Sequence, residues 1–217
     1  MTKKETVQEQ VLNVEEAVSR SEAFINKNKK IITILVAGLV AVVAAGMLTS
    51  AYIIKPREQK AAEALFTGEK YFQNGDFENA LAEFEVVAAD HKCTKAGNLA
   101  KAYAGISLAK LGSYEEAIPM LKAFKGNDAM IAPSVLAALG NCYAQVGQEA
   151  QAAATLVKAA NKADNNLLSP AYLIQAGQIY EMLGKKGEAL KAYNEVKTKY
   201  YGSMQAMDID KYIERVK

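Results

Sequence analysis

Four segments of this chain carry one template, and that repetition limits the possible folds more than any other feature. The segments are Gly68–Ala80, Gly105–Ala117, Gly140–Ala152 and Gly177–Ala189. Each opens on glycine, has a second glycine seven residues later (Gly75, Gly112, Gly147, Gly184) and closes on alanine. Three residues after the first glycine stand Tyr71, Leu108, Tyr143 and Tyr180, and four after the alanine stand Phe84, Leu121, Leu156 and Tyr193. Successive copies are offset by 37, 35 and 37 residues. Self-similarity at this period marks one small supersecondary unit stacked on copies of itself.

Each position of the template has a physical reading. The first glycine and the alanine are small, so two antiparallel helices can approach closely. The second glycine falls where the first helix should end, in a left-handed conformation that only glycine adopts cheaply. A cap for the next helix should follow. Asp76 supplies one, and Ser113 with Glu116 has the spacing of a capping box, whereas Gln148 and Lys185 are poor caps. The large residues fill the space between one helix pair and the next. No pair can bury its own apolar face alone, so the units must stack. Pro119 falls inside the second helix of the second unit, where it should remove a hydrogen bond and bend the helix. Gly126 then should end that helix early. Units are expected near residues 61–94, 98–131, 133–166 and 170–203, with a polar-faced capping helix over 203–217.

Upstream of the repeats, Ile31 to Ile54 is a run of 24 residues without a charged side chain. At roughly 1.5 Å per residue it makes a helix of about 36 Å, against a hydrocarbon core of about 30 Å. A secretory leader has a shorter apolar region, about 7–15 residues, placed close to the N-terminus. The run therefore reads as a retained single span. Within it, Ala37, Ala41 and Ala45 recur every four residues, with Gly38 and Gly46 close by on the same side, a pattern that lets a second helix pack closely in lipid. The tail 1–30 holds six Lys/Arg and five Asp/Glu. Over residues 5–28 a seam of Val7, Val11, Val14, Val18, Ser21 and Ile25 predicts an amphipathic helix. That helix either extends the span, resting on the membrane, or docks a partner. Flanking charge is nearly balanced, with Lys27, Lys29 and Lys30 before the run and Lys55, Arg57 and Lys60 after it. Long domains cross membranes largely regardless of charge, so the short tail is expected in the cytoplasm and residues 55–217 outside. The chain thus reads as all-α: an N-terminal helix, one transmembrane helix, and an α-solenoid of about four helical hairpins closed by a capping helix.

The residues give little support to catalysis. Outside the tail the chain holds 20 Lys/Arg and 19 Asp/Glu, with no basic stripe of the kind nucleic acid requires. His91, the single histidine, has only Asp90 and Cys93 near it in sequence, too few ligands for a metal ion. Cys93 and Cys142 belong to units that are not neighbours, so no disulfide is expected between them. The glycines mark helix turns, and none makes a phosphate-cradling loop. No enzyme, metal or cofactor is expected.

These template residues resemble the tetratricopeptide repeat family over about residues 61 to 197. The family's aromatic near the start of the first helix is replaced here by Ala64, Lys101, Leu136 and Leu173. The resemblance implies a protein-binding groove on the inner face of the stack, lined by the first helix of each pair. Carried over position by position, that groove takes Leu65, Glu69, Phe72 and Gln73 from the first unit and Ile106 and Lys110 from the second. The third and fourth units add Asn141, Gln145, Ile174, Gln178 and Met182. The lysine- and asparagine-rich version that clamps a C-terminal carboxylate is poorly matched, with only Lys110 and Asn141 present. The mixed lining instead suits an extended or helical apolar segment of another protein. The competing reading is that the chain's own tail helix covers part of this surface.

The layout of charged tail, single span and exported repeat domain is similar to that of the YfgM-type ancillary subunits of the bacterial Sec translocon. That likeness implies an inner-membrane protein with a cytoplasmic N-terminus and a periplasmic repeat domain. Its expected partners are translocon subunits, a PpiD-type chaperone and unfolded secreted chains. Two other classes share the layout: a scaffold of an envelope assembly machine, and an organelle import receptor with cytosolic repeats.

Overall fold

The computed structural model describes residues 26–217. The seam from Val7 to Ile25 lies outside them. The chain divides into two compact units at Pro56/Arg57. All regular structure among the described residues is helical.

In the first unit, α1 (Lys29–Thr49) leads into a wider π-helical turn, Ser50–Ile54. This turn immediately precedes Pro56, whose ring would crowd the Tyr52 carbonyl in a regular α-helix. No side chain of α1 is buried, and Ile34, Leu39 and Val42 are 65–70% exposed. The two threonine hydroxyls are satisfied within the helix, Thr33 donating to the Lys29 carbonyl and Thr49 to that of Ala45 (2.8 and 2.7 Å). This one described helix is long and apolar enough to cross a membrane. At about 100° per residue, Ala37, Ala41 and Ala45 form a narrow stripe, but Gly46 lies about half a turn from Ala37. The expected single face of small residues is therefore corrected to the three alanines with Gly38 at their edge.

The second unit contains four helix pairs: α2 (Lys55–Gln73, from Arg57 onward) with α3 (Phe77–Asp90), α4 (Lys95–Lys110) with α5 (Tyr114–Ala123), α6 (Ile131–Gln145) with α7 (Glu149–Ala163), and α8 (Ser169–Met182) with α9 (Lys186–Lys199). Within each pair the turn is built identically. Gly75, Gly112, Gly147 and Gly184 sit at φ of 77°, 85°, 73° and 69°, which ends the first helix in a left-handed cap. The next residue donates its backbone N–H back to the residue three after the first glycine: Asp76 to Tyr71, Ser113 to Leu108, Gln148 to Tyr143 and Lys185 to Tyr180, at 2.8–3.0 Å. That same residue is the N-cap of the second helix, so it both closes the first helix and opens the next.

This joint explains why the expected capping box of the second unit is absent. A capping box needs the N–H of Ser113 for Glu116, but that N–H is already committed to Leu108, and Ser113 makes no side-chain cap bond. Asp76 does cap, accepting from the Asn79 N–H at 3.2 Å. Gln148 and Lys185 make no side-chain cap bond.

The spacing of first glycine, alanine and large residue is a packing code. A methyl group added at Gly68 would fall 2.6 Å from the Phe84 ring, at Gly105 2.7 Å from Leu121, and at Gly140 2.9 Å from Leu156. Gly177 stands in the same relation to Tyr193. The closing residues Ala80, Ala117, Ala152 and Ala189 are fully buried. Three core clusters result, one joining the first pair to α4, one running from α4 to α8, and one from α7 into the C-terminal segment.

In the second unit α5 is 10 residues long against 14 or 15 for the other second helices. It contains Pro119 but ends at Ala123, with Phe124 already extended (φ −67°, ψ 134°). The expected stop at Gly126 is thus three residues late. What holds the chain after the helix is Asn98 on α4, which donates to the Lys125 carbonyl and accepts from its N–H (2.7 and 2.9 Å). Ser107 on α4 is fully buried, and its hydroxyl has no hydrogen-bond partner among the described residues. A buried hydroxyl without a partner costs about 1–3 kcal/mol. Ser107→Ala is accordingly expected to raise Tm, by about 2–4 °C for each kcal/mol recovered, measured by differential scanning calorimetry. An unchanged or lower Tm would show that the hydroxyl is satisfied in solution.

The C-terminal segment is not one helix. A 3-10 turn, Met204–Asp208, capped by the Ser203 hydroxyl, leads into α10 (Ile209–Val216). Ile209, Ile213 and Val216 are buried against α9 and its neighbours, closing the last open apolar face.

Candidate functional site: the inner face of the repeat unit

The first helices of the pairs alternate between residues that fill the core and residues left to solvent. On α6, Val135, Leu139, Cys142 and Tyr143 are buried, which leaves Asn141 and Gln145 exposed. On α8, Leu173, Ala176 and Ile179 are buried, which leaves Gln175, Gln178 and Met182 exposed, the last at 73%. Asn141, Gln175, Gln178, Met182 and Glu181 line one concavity of about 470 Å³, and Arg215 of α10 closes its side.

Arg215 is held there by Glu181, with Nε 2.8 Å from Oε2 and Nη2 2.7 Å from Oε1. The Tyr193 hydroxyl also donates to Glu181. The Arg215 guanidinium, helped by that hydroxyl, holds the Glu181 carboxyl below the usual carboxylate range despite partial burial. A depressed carboxylate stabilises the folded state above its unfolded pKa, and the contribution is lost as pH falls through the lowered folded value. Docking of α10 should therefore weaken on acidification below about pH 4.5, the ordinary glutamate value. Faster amide exchange at Ile213 and Val216, absent from Arg215→Gln, would report it. Equal acid sensitivity in both proteins would assign the effect to other groups.

Of the residues expected to line the groove, the structure brings Asn141, Gln178 and Met182 together in this concavity. Gln145, Gln73 and Lys110 are exposed on their helices. The apolar members are committed elsewhere. Leu65 is buried at 6% exposure in the first core cluster, and Ile106 and Ile174 are half-buried against the other two. Phe72 packs among Phe77, Phe84 and Tyr103, with ring centroids 5.3, 6.3 and 5.4 Å away. Glu69 faces the Tyr103 hydroxyl, whose pKa is pushed up by burial and by that carboxylate. Phe72, expected at the groove, is half-buried and packs against the core of the first helix pair.

Gln175, Glu181 and Arg215 were missed from sequence. Gln175 stands three residues before Gln178 on the same helix, a spacing that could have found it. Arg215 carried no local signal, because its partner lies 34 residues away. Cys93 is exposed, Cys142 is buried, and both are free. Burial pushes the Cys142 thiol up.

No protein-family model matches the chain. No curated protein matches it either. Solved structures do. A tetratricopeptide repeat protein from Parabacteroides merdae superposes with a TM-score of 0.59 at 13% identity, over 73% of this chain and 60% of its own. The fold is that of a tetratricopeptide repeat solenoid. The MamA protein superposes at 0.54 with 19% identity, over 72% of this chain and 89% of its own. At such identities the likeness is one of fold.

Proposed function

We propose that this tetratricopeptide solenoid is a membrane-anchored protein-binding module, an ancillary subunit of the Sec translocon. The observation that carries the binding role is the concavity walled by Asn141, Gln175, Gln178 and Met182. Amide side chains can donate and accept toward a peptide backbone whatever its sequence. An exposed methionine adapts to varied apolar side chains. That combination suits unfolded secreted chains, or an extended segment of a PpiD-type chaperone. The anchoring role rests on α1, whose exposed apolar surface needs a bilayer or an equivalent apolar partner. In this reading the span lies in the bacterial inner membrane, with the N-terminus in the cytoplasm and the repeats in the periplasm. Tethering the concavity beside the channel raises its effective concentration for emerging chains.

Gln178→Ala combined with Met182→Ala is expected to weaken capture of an unfolded secreted polypeptide by about tenfold. The far-UV circular dichroism should not change, because both side chains are exposed. Undiminished capture by the double variant would move the site away from this face.

A further inference from the structure

We infer that the cavity left by the short α5 docks one amphipathic helical turn of a partner protein, apolar on the side that enters and acidic on its flanks. In the first, third and fourth pairs the second helix runs on past the large template residue. Three places later it buries another side chain: Val87, Ala159 and Val196. In the third and fourth pairs Ala163 and Tyr200, seven places on, are buried as well. The second pair has neither. Phe124 already lies outside α5 and is half-buried, and Asp128 is exposed. Beyond the end of α5 there is instead a cavity of about 330 Å³, with an apolar floor of Leu121, Val135, Leu136 and Leu139. A turn supplied from outside would present side chains four places apart on one face, the spacing the missing turn would have used.

The rim sets the charge of that turn. Lys122 on α5 and Lys162 on α7 border the floor, and no carboxylate lines the cavity. Neither lysine makes an ion pair among the described residues. Lys162 donates once, to Asn127 Oδ1 (2.7 Å), and an ammonium has three donors. Asp128 stands at the edge, beside Gly126, where its Oδ1 accepts from the Met130 and Ile131 N–H groups. That carboxylate is thus engaged with the start of α6. The helix α6 itself carries no charged residue. Glu115 and Glu116 of α5 and Glu149 of α7 lie in the first turns, at the far ends of those helices from the cavity. An apolar floor under two ammonium groups selects an apolar segment that also carries carboxylates. The cavity shares no residue with the concavity at Asn141 and Met182. The inference therefore stands apart from the client-binding reading.

The probe is a fluorescein-labelled, lactam-stapled alanine peptide with two leucines four places apart and a glutamate beside each. It would be titrated by anisotropy against the full chain in detergent, with empty micelles as the blank. Binding with Kd below about 1 mM is expected. Lys122→Gln with Lys162→Gln should weaken it about tenfold, and so should glutamine in place of both peptide glutamates. Circular dichroism of the double variant should match the parent, since neither lysine is buried. With a benzophenone side chain in place of one leucine, photo-adducts should map within residues 121–139. Absence of binding, or affinity indifferent to both charge changes, would overturn the site. Adducts within residues 175–182 would move the peptide to the concavity and overturn it equally. Displacement by hexanoate as readily as by unlabelled peptide would overturn the protein partner in favour of a free aliphatic acid. Self-association of the parent chain that the lysine variant abolishes would overturn it in favour of a second copy.

Discussion

Tyr193→Ala is expected to destabilise the repeat unit by about 3–5 kcal/mol, the usual cost of deleting a buried aromatic. The ring is fully buried and lies against Gly177, where no side chain can replace it. Its hydroxyl donates to Glu181, the residue that also holds Arg215. The loss should therefore reach α10 as well as α9. Tyr193→Phe keeps the ring and should cost less, about 1.5–3 kcal/mol, the value of one hydrogen bond to a charged group. Chemical denaturation of the full chain in detergent, followed by circular dichroism, measures both. If the alanine and phenylalanine variants lose the same amount, the hydroxyl rather than the ring dominates, and the packing code is wrong at this unit.

Ala152→Leu should cost about 1–3 kcal/mol through overpacking. Ala152 is fully buried where α7 passes α6, and its carbonyl lies 3.3 Å from where a methyl group on Gly140 would sit. The extra carbons have no empty space to enter without separating the helices. Ala154→Leu, on the exposed side of the same helix, should change stability by no more than about 0.5 kcal/mol. In a solenoid each repeat contacts only its neighbours, so the lesion should appear first as local amide exchange in α6 and α7. A uniform loss across all four pairs would contradict that arrangement.

The fold was legible where one physical demand recurs in every unit. Gly68, Gly105, Gly140 and Gly177 must all be small for the same reason, and four aligned copies separate that signal from chance. The turn glycines are legible likewise, since a positive φ leaves few alternatives. The missing capping box at Ser113 was not legible. Its motif is local, but the N–H it needs is taken by a carbonyl of the preceding helix. The premature end of α5 was hidden for a related reason: Asn98, which replaces the lost turn, lies on another helix. Of the carried-over family positions, Asn141, Gln178 and Met182 meet at the concavity, whereas Leu65 is buried in the core. The carry-over could not say which of those side chains a neighbouring unit would cover. Phe72 is taken up by Phe77 and Tyr103, while Met182 is left outside, because the difference depends on how successive pairs pack. The Glu181–Arg215 pair joins residues that no motif relates.

Site-specific photo-crosslinking in intact membranes tests the central claim most directly. The crosslinker belongs at Gln178 and Met182, which are exposed at the concavity, rather than at the half-buried Phe72 or Ile106. Mass spectrometry of the adducts should find a translocon subunit, its periplasmic chaperone or secreted chains in transit. Adducts confined to outer-membrane assembly proteins or to cytosolic precursors would contradict the translocon role and leave the anchored repeat solenoid with a different client.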